Sequence, residues 1–432
     1  MAALLLERFD FSFGALAAFT AVALPLYAGR VRGRNYALFS AVILAFSLPG
    51  AVIAHLRLTS LFPAWAVPWL HAAFAYSMLA LGAHLCHLVR ARLRGWAFRV
   101  LVSIPGQAFL AAGFMAGVWL LALLPLRLVL LLAGWDGPLE TLRWLDLMPF
   151  AVAAASVLTS LRPAVEYVRL ELGADGPESV TRIPVVRHRR RAPASLEERS
   201  LRIVQIADPH LGPWQSVASL RRKVTRLLEH EPDLVLLTGD FLTMESSATP
   251  GALAEALSPL RAVGERCFAV FGNHDLESPE EVREGLAANH IELLVDAEAL
   301  TETPAGPVQI VGSDWVRRDR RAHLQRVLAR HPRRVGHLRL LLLHDPQGFH
   351  DIPPGEVDLT LSGHTHGGQV GLVSFGLDWT VLSGSRWPDH GLFARGSNRL
   401  YVHRGTGFYG FPLRVGVPGE LSVLELLRPA AD

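Results

Sequence analysis

The sequence predicts two successive domains of different kinds, a helical membrane domain and then a layered α/β domain. Three observations carry this. Half of the 432 residues are hydrophobic, and the excess is concentrated before residue 162. Between residues 162 and 200 the apolar pattern breaks on prolines and arginines. From Leu201 onward, short runs of strand formers alternate with amphipathic helical stretches. A chain of this length has room for two domains of ordinary size.

Five apolar segments stand out, at about 11–28, 36–54, 64–89, 100–124 and 145–161. A helix needs ~20 mostly apolar residues to span a bilayer. The third and fourth segments exceed that, the first two come close, and the fifth is short. Further segments follow the first without an A-x-A-like cleavage site, which argues against a removed signal peptide. Apart from Asp146 at the start of the fifth, these segments hold no charged residues, and they show no internal repeat, which argues against a transporter. His71, His84 and His87 lie in the third segment. They are read as interfacial or packing residues, because no matching histidine pair stands out in another span.

Arginine placement gives the orientation. Arg30, Arg32 and Arg34 follow the first segment, and Arg90, Arg92, Arg94 and Arg99 follow the third. Arg162, Arg169, Arg182, Arg187, Arg189, Arg190 and Arg191 follow the fifth. Only Arg8, Arg57, Arg127 and Arg143 fall on the other side, fourteen against four. The expectation is a multi-pass protein of the inner (plasma) membrane, with its amino terminus outside and everything after residue 162 cytoplasmic. The fifth span decides that last side.

Net charge is only +3 and Lys223 is the single lysine. An arginine bias with abundant Ala, Gly and Pro reflects coding composition, so the charge gives no reason to expect nucleic acid binding. Cys86 and Cys267 are the only cysteines. Two isolated cysteines make neither a disulfide framework nor a thiolate metal site.

The expected domains are 1–162 in the membrane, 163–200 as a basic, proline-containing linker, and 201–428 as the α/β domain. The linker reads as a solvated tether whose RHRRR run (187–191) can also attract anionic lipid, at ~1 kcal/mol per basic residue. Strands are expected at LRIVQIA (201–207), DLVLLTG (233–239), CFAVFG (267–272), LRLLLLH (338–344) and VDLTLSG (357–363). More follow near 308–312, 399–403 and 420–426. Thr249-Pro250 and Ser278-Pro279 mark helix starts, the second with Glu281 placed for a capping box.

Each strong polar cluster sits at the carboxyl end of one of these strands: Asp208-Pro209-His210, Gly239-Asp240, Gly272-Asn273-His274-Asp275, His344-Asp345 and Gly363-His364-Thr365-His366. Strand carboxyl ends are where α/β sheets gather ligands. Carboxylate, imidazole and amide oxygen suit Mn²⁺, Fe or Zn²⁺, and seven donors exceed the need of one ion. A pair of divalent ions, bridged by one Asp, is the expectation.

The ordered set DPH, GD, GNHD, H and GHTH resembles the calcineurin-like metallophosphoesterase superfamily. GHTHGGQ together with YVHRGTGFYGFPLRVGVPGEL is similar to a bacterial, often membrane-associated branch. The resemblance covers about residues 200–428 and implies a four-layer αββα sandwich with a dinuclear site. It further implies that Asp208, His210, Asp240 and His366 bind one metal and that Asp240, Asn273, His344 and His364 bind the second. By the same likeness His274 is the catalytic histidine, oriented by Asp275. Pro209 departs from the apolar residues more familiar between the first two ligands, which alters rigidity and not the ligand set. The implied activity is hydrolysis of phosphomonoester, phosphodiester or pyrophosphate bonds, with Mn the favoured metal and lipid-linked substrates and membrane lipids among the partners. A binding-only sensor or scaffold is the alternative, and the complete ligand set argues against it. Arg404, Arg414, Gln369, Trp214 and Trp387 stay unassigned.

Overall fold

The structure, a computed structural model, describes residues 2–88, 91–188 and 200–427. Two compact units make up the chain, Met1–Leu158 with Gly410–Val415, and Thr159–Tyr409 with Gly416–Asp432. Arg90, Arg189, Arg190, Arg191 and Pro193, which entered the orientation and linker readings, lie outside the described residues.

The first unit is helical. It runs α1 (Ala2–Arg32), α2 (Arg34–Leu61), α3 (Val67–Leu88) and the short α4 (Trp96–Phe98), then a π-helical turn (Arg99–Ser103) into α5 (Ile104–Leu132), and ends with α6 (Asp136–Leu145) and α7 (Met148–Leu161). Five stretches are long and apolar enough to cross a membrane: Phe13–Arg32, Arg34–Leu61, Val67–Leu88, Trp96–Leu132 and Asp136–Leu161. The fifth is no longer short, because α6 and α7 together supply 26 residues. Phe13, Leu44, Phe74, Met78, Leu81 and Phe109 form its core. α2 and α5 approach closely: a Cβ on Gly50 would lie 2.1 Å from the Gly113 carbonyl oxygen. Small residues permit such contact where no water drives helices together.

The helices run past the apolar segments and take in Arg57 and Arg127, which both meet the buried Asp146 at the α6–α7 junction, Arg57 at 3.5 Å. His71 is not isolated. Its Nδ1 lies 2.8 Å from Nε2 of His55 on α2, with both rings buried. The sequence reading looked for a matching pair of histidines in another span; the partner is a single histidine, sixteen residues away on another helix, which gives no pattern to read. His84 is also buried, bonded to Gln107 at 3.0 Å, whereas His87 is exposed.

The second unit contains two seven-stranded sheets. Its strands are β1 (Ala164–Glu171), β2 (Thr181–Arg182), β3 (Val186–His188), β4 (Ser200–Ile206), β5 (Leu234–Leu237), β6 (Cys267–Ala269), β7 (Glu292–Leu293), β8 (Ala297–Thr303), β9 (Gly306–Ser313), β10 (Leu338–Leu343), β11 (Leu359–Ser362), β12 (Gly391–Arg395), β13 (Asn398–Val402) and β14 (Glu420–Leu427). One sheet has the order β3-β1-β14-β4-β5-β6-β7 and the other β2-β12-β13-β11-β10-β9-β8. Parallel pairing dominates the centres, from β4 to β7 and from β9 through β10 and β11 to β13.

The sheets pack face to face. Ile203, Leu236 and Phe268 from one and Ile310, Leu340 and Leu361 from the other share a single buried cluster. Continuous apolar strands such as LRLLLL need cover on both faces. Helix α11 (Arg320–Arg330) covers one outer face, with Leu324, Val327 and Leu328 against Leu341 and Leu343. Helices α8 (Val217–Leu228), α9 (Ala252–Leu257) and α10 (Pro279–Ala287) accompany the other sheet. This is the four-layer αββα arrangement. All eight expected strands form.

Residues 164–188 differ from the expected tether. β1 lies parallel to β14 from Ala164↔Glu420 to Glu171↔Leu427, β3 extends that sheet, and β2 pairs with β12. The pairing partner is some 250 residues away, so local composition alone read as linker. At Ser278 the capping box does not close: the hydroxyl donates to the Ser247 carbonyl at 3.0 Å and makes no cap bond.

Candidate metal centre

The strand ends deliver the seven expected donors into one cluster. Asp208 follows β4, Asp240 follows β5, Asn273 follows β6, His344 follows β10, and His364 and His366 follow β11. The loops are stitched to one another: Asp208 donates its N–H to Gly239 (3.0 Å) and His210 to Asp240 (3.1 Å). Main-chain N–H of His364 in turn donates to the Asp208 carboxylate at 2.9 Å.

Two triads emerge, Asp208-His210-His366 and Asp240-His344-His364, each with ligand atoms close enough to hold one ion. Asp240 joins them. Its Oδ2 lies 3.5 Å from His210 Nε2 and 3.3 Å from His344 Nε2. Asn273 Oδ1 lies 3.3 Å from the same His344 nitrogen. His210 Nε2 and His364 Nδ1 are buried with no hydrogen-bond partner among the described residues. A buried imidazole nitrogen left unbonded is expensive unless something else occupies its lone pair. The residues present therefore fit divalent ions, and the mixed N/O donor set has the right chemistry for them.

The backbone is bent to make this possible. Asp208, His210, Asp240, His364 and His366 all have φ between 43° and 70°. Non-glycine residues in that region cost about 1–3 kcal/mol each and persist only where surrounding structure enforces them. Five of the seven donors being so held points to selection for function. Gly363 leaves room for a neighbour: a Cβ there would stand 2.1 Å from Asp208 Oδ2.

Electrostatics follow from burial. Desolvation pushes His210 down to about 3, and desolvation with His344 nearby pushes His364 down to about 4, so both are neutral donors. Burial alone would lift Asp240, but His344 and His210 override it and hold the carboxylate ionised. Burial would likewise lower His344, yet Asp240 raises it to about 10. Its Nδ1 is fixed by the Thr238 carbonyl at 2.6 Å.

His274 stands over the cluster, its N–H on Asp240 Oδ1 at 2.8 Å and its ring edge-on to His210. Asp275 does not orient it. The buried Asp275 carboxylate turns inward and accepts the N–H groups of Asp240, Phe241 and Gly272 at 2.7, 2.7 and 2.8 Å. Burial lifts that carboxyl to about 7. Glu277 faces the catalytic-histidine candidate instead, at 3.4 Å from His274 Nδ1. Burial lowers His274, but the Glu277 bond and Asp240 raise it above its ordinary value. Adjacency in sequence favoured Asp275; the 3₁₀ turn Asp275–Glu277 places the residue three positions on beside the ring.

Tyr409 is another group the sequence did not single out. Its ring stacks on His210 (5.4 Å) and meets His274 edge-on (4.8 Å). Arg404 is buried against Glu166 and Glu420, away from solvent, and Arg414 is buried as well. Trp214 packs on Phe408, Gln369 is buried, and the exposed Trp387 meets His364 at 6.5 Å between ring centres.

An αββα sandwich carrying this donor set at its strand ends defines a metal-dependent hydrolase of phosphoesters. The calcineurin-like phosphoesterase family profile matches residues 201–368. Phosphodiesterase YaeI of Escherichia coli is 30% identical over 234 residues, 52% of this chain and 82% of the relative. The metallophosphoesterase YkuE of Bacillus subtilis is 29% identical over 235 residues, 52% of this chain and 78% of its own. A transmembrane protein with a metallophosphoesterase domain from Danio rerio is 30% identical over 307 residues, 64% of each chain. The chain belongs to the calcineurin-like phosphoesterase family, and it is a membrane protein whose second unit is a phosphoesterase domain.

Proposed function

We propose that the protein is a dinuclear phosphoesterase of the inner membrane acting on lipid-linked phosphodiesters or pyrophosphates, with its carboxyl-terminal domain cytoplasmic. One observation carries the dinuclear reading: Asp240 Oδ2 stands between His210 and His344, 3.5 and 3.3 Å from their nitrogens, as a bridging carboxylate should. In this reading Asp208, His210, Asp240 and His366 hold one ion and Asp240, Asn273, His344 and His364 the other, with Mn²⁺ the favoured metal among the Mn²⁺, Fe and Zn²⁺ that a mixed imidazole and oxygen set suits. Divalent ions held by these residues would supply Lewis acidity toward a phosphoryl oxygen and would lower the pKa of a water so that it becomes a nucleophile at neutral pH. His274, held raised by Glu277, carries a proton to the leaving oxygen. Tyr409 walls the site beside His210 and His274 and limits water there. Asp275 fixes the main chain on which Asp240 is mounted.

The lipid preference draws on five candidate spans and on β1 beginning three residues after the last apolar helix ends. A freely soluble substrate would not require either. The test measures full-length protein in liposomes against phospholipid and lipid-diphosphate substrates, and against soluble nucleotides. Equal or higher specificity constants for the soluble compounds would overturn the lipid reading. Metal content of about two ions per chain is expected, and about one would overturn the dinuclear reading. An active alkaline phosphatase fused to the carboxyl terminus would reverse the orientation.

A further inference from the structure

Directly after the histidine turn, residues 372–387 form a loop whose large side chains point the opposite way from a normal core. Phe375 is 76% exposed, Leu377 54%, Val381 53% and Trp379 50%, with Leu372 and Trp387 exposed beside them. The loop is not frayed. Leu372 N–H donates to Trp379 (2.9 Å), Ser374 to Gly416 (2.8 Å) and Val381 to Val370 (3.0 Å). The hydroxyl of the buried Thr380 is anchored on Asp389 Oδ2 at 2.6 Å. An ordered loop that holds six apolar side chains in water marks an interaction surface.

The occupant is set by chemistry and by the chain. Paired tryptophans with Phe and Leu suit the boundary between headgroups and acyl chains, where an indole buries its ring and keeps its N–H wet. Asp378 and Arg386 are the only charged residues in the loop and cancel, so no acidic repulsion from anionic lipid opposes insertion. β1 starts at Ala164 and α7 ends at Leu161, so the chain itself keeps this domain within reach of a bilayer. At its end the loop returns to the site, through Trp387 against His364. We infer that residues 372–387 are an interfacial docking loop that inserts Phe375, Leu377, Trp379 and Val381 into a lipid bilayer and seats the mouth of the metal site on it.

The test uses the full chain in vesicles of phosphatidylethanolamine and phosphatidylglycerol. Cys86→Ala removes one thiol, and burial pushes the Cys267 thiol up to about 12, which keeps it unreactive to a label. Phe375→Cys carries a bimane, and Val335→Cys serves as the reference. Val335 is fully exposed just ahead of β10, at the end of that strand opposite His344. Nitroxide-labelled lipid should quench the label at position 375 at least threefold more than at 335. Equal quenching overturns docking, as does label shielding that requires high protein concentration and no lipid, which assigns the surface to a second copy. A second arm rests on the lipid-substrate reading. Phe375→Ser with Trp379→Ser should lower turnover of a vesicle-borne phosphodiester at least tenfold and leave bis(p-nitrophenyl) phosphate hydrolysis unchanged. Strong quenching in a wild-type protein that cleaves no lipid upholds docking and overturns the substrate reading. An equal loss on both substrates overturns the docking role of these side chains.

Discussion

The Asp275 carboxylate accepts the main-chain N–H of Asp240 at 2.7 Å, so the bridging residue is mounted on a buried acid three elements away in the same crevice. Two further N–H groups, from Phe241 and Gly272, share that carboxylate. Asp275→Asn replaces one accepting oxygen with a donor that faces donors. About 1–3 kcal/mol of stability is expected to go, the scale for a buried group left unsatisfied. Metal content, read by elemental analysis of the purified chain, should fall with it, whereas a residue that only oriented His274 would leave the metals in place.

His274→Ala should retain both ions and slow turnover by ~10²–10⁴-fold, the range for losing a general acid. Glu277→Ala should slow it by roughly 10-fold, since Glu277 acts only through the ring. The checking measurement is kcat on esters of graded leaving-group acidity. The deficit of both variants should shrink as the leaving group becomes more acidic, and a uniform deficit would remove the proton-transfer role.

Gly363→Ala places a methyl where Asp208 Oδ2 now lies, 2.1 Å from its position. The carboxylate must rotate or the histidine turn must move. Activity should drop by at least about 100-fold with reduced metal content, a displacement of one ångström in a catalytic constellation being enough for such a loss. Fold stability should change far less, because the neighbouring strands need not shift. Titrating metal back into the apoprotein tests this, and a wild-type affinity would refute it.

A fragment beginning at residue 200 omits β1, β2, β3 and Glu166, which pairs with the buried Arg404. Breaking one partner of a buried ion pair costs ~3–5 kcal/mol. Such a fragment is expected to aggregate or lose activity, and one beginning near residue 162 to keep it. Glu166→Ala in the full chain should lower the unfolding midpoint of the phosphoesterase unit, followed by differential scanning fluorimetry. An unchanged midpoint would show that Glu420 alone satisfies Arg404.

Glu420 provides an acid-sensitive element. Burial would lift its carboxyl, but Arg404 overrides this and holds it at about 2, against an ordinary value of 4.5. A carboxyl depressed in the folded state stabilises fully above the unfolded value and loses that contribution as pH falls through the folded one. Stability from this group should therefore be intact above pH 4.5 and disappear on the way to pH 2. Glu420→Gln should be less stable than wild type at pH 7, and the difference should narrow steadily below pH 4.5. Parallel stability curves for the two proteins would exclude this origin.

Much of the site was legible because its information is local. Each ligand cluster sits at the end of an apolar strand with glycine or a turn beside it, so Asp208, Asp240, His344 and His364 announced themselves one segment at a time. Glu277 and Tyr409 did not. The first depends on the pitch of a 3₁₀ turn and the second on a loop arriving from the far end of the chain. The four-layer sandwich was legible from its continuous buried strands and from the family likeness. β1 was not, because its register with β14 spans the whole domain. The His55–His71 contact was hidden for the same reason: two single histidines in separate helices carry no spacing signal.

The position of β14 bears on how the chain is made. This strand, the last described element, lies between β1 and β4. On the ribosome, β1 and β4 emerge early and must wait for almost the entire domain before their shared neighbour exists. Contacts of such long sequence separation form slowly, and unpaired strand edges are prone to aggregation while they wait. The metal-site loops hang from a sheet that cannot close until β14 has left the ribosome, so the site of this hydrolase assembles only once the sequence of the whole domain, from β1 to β14, is available.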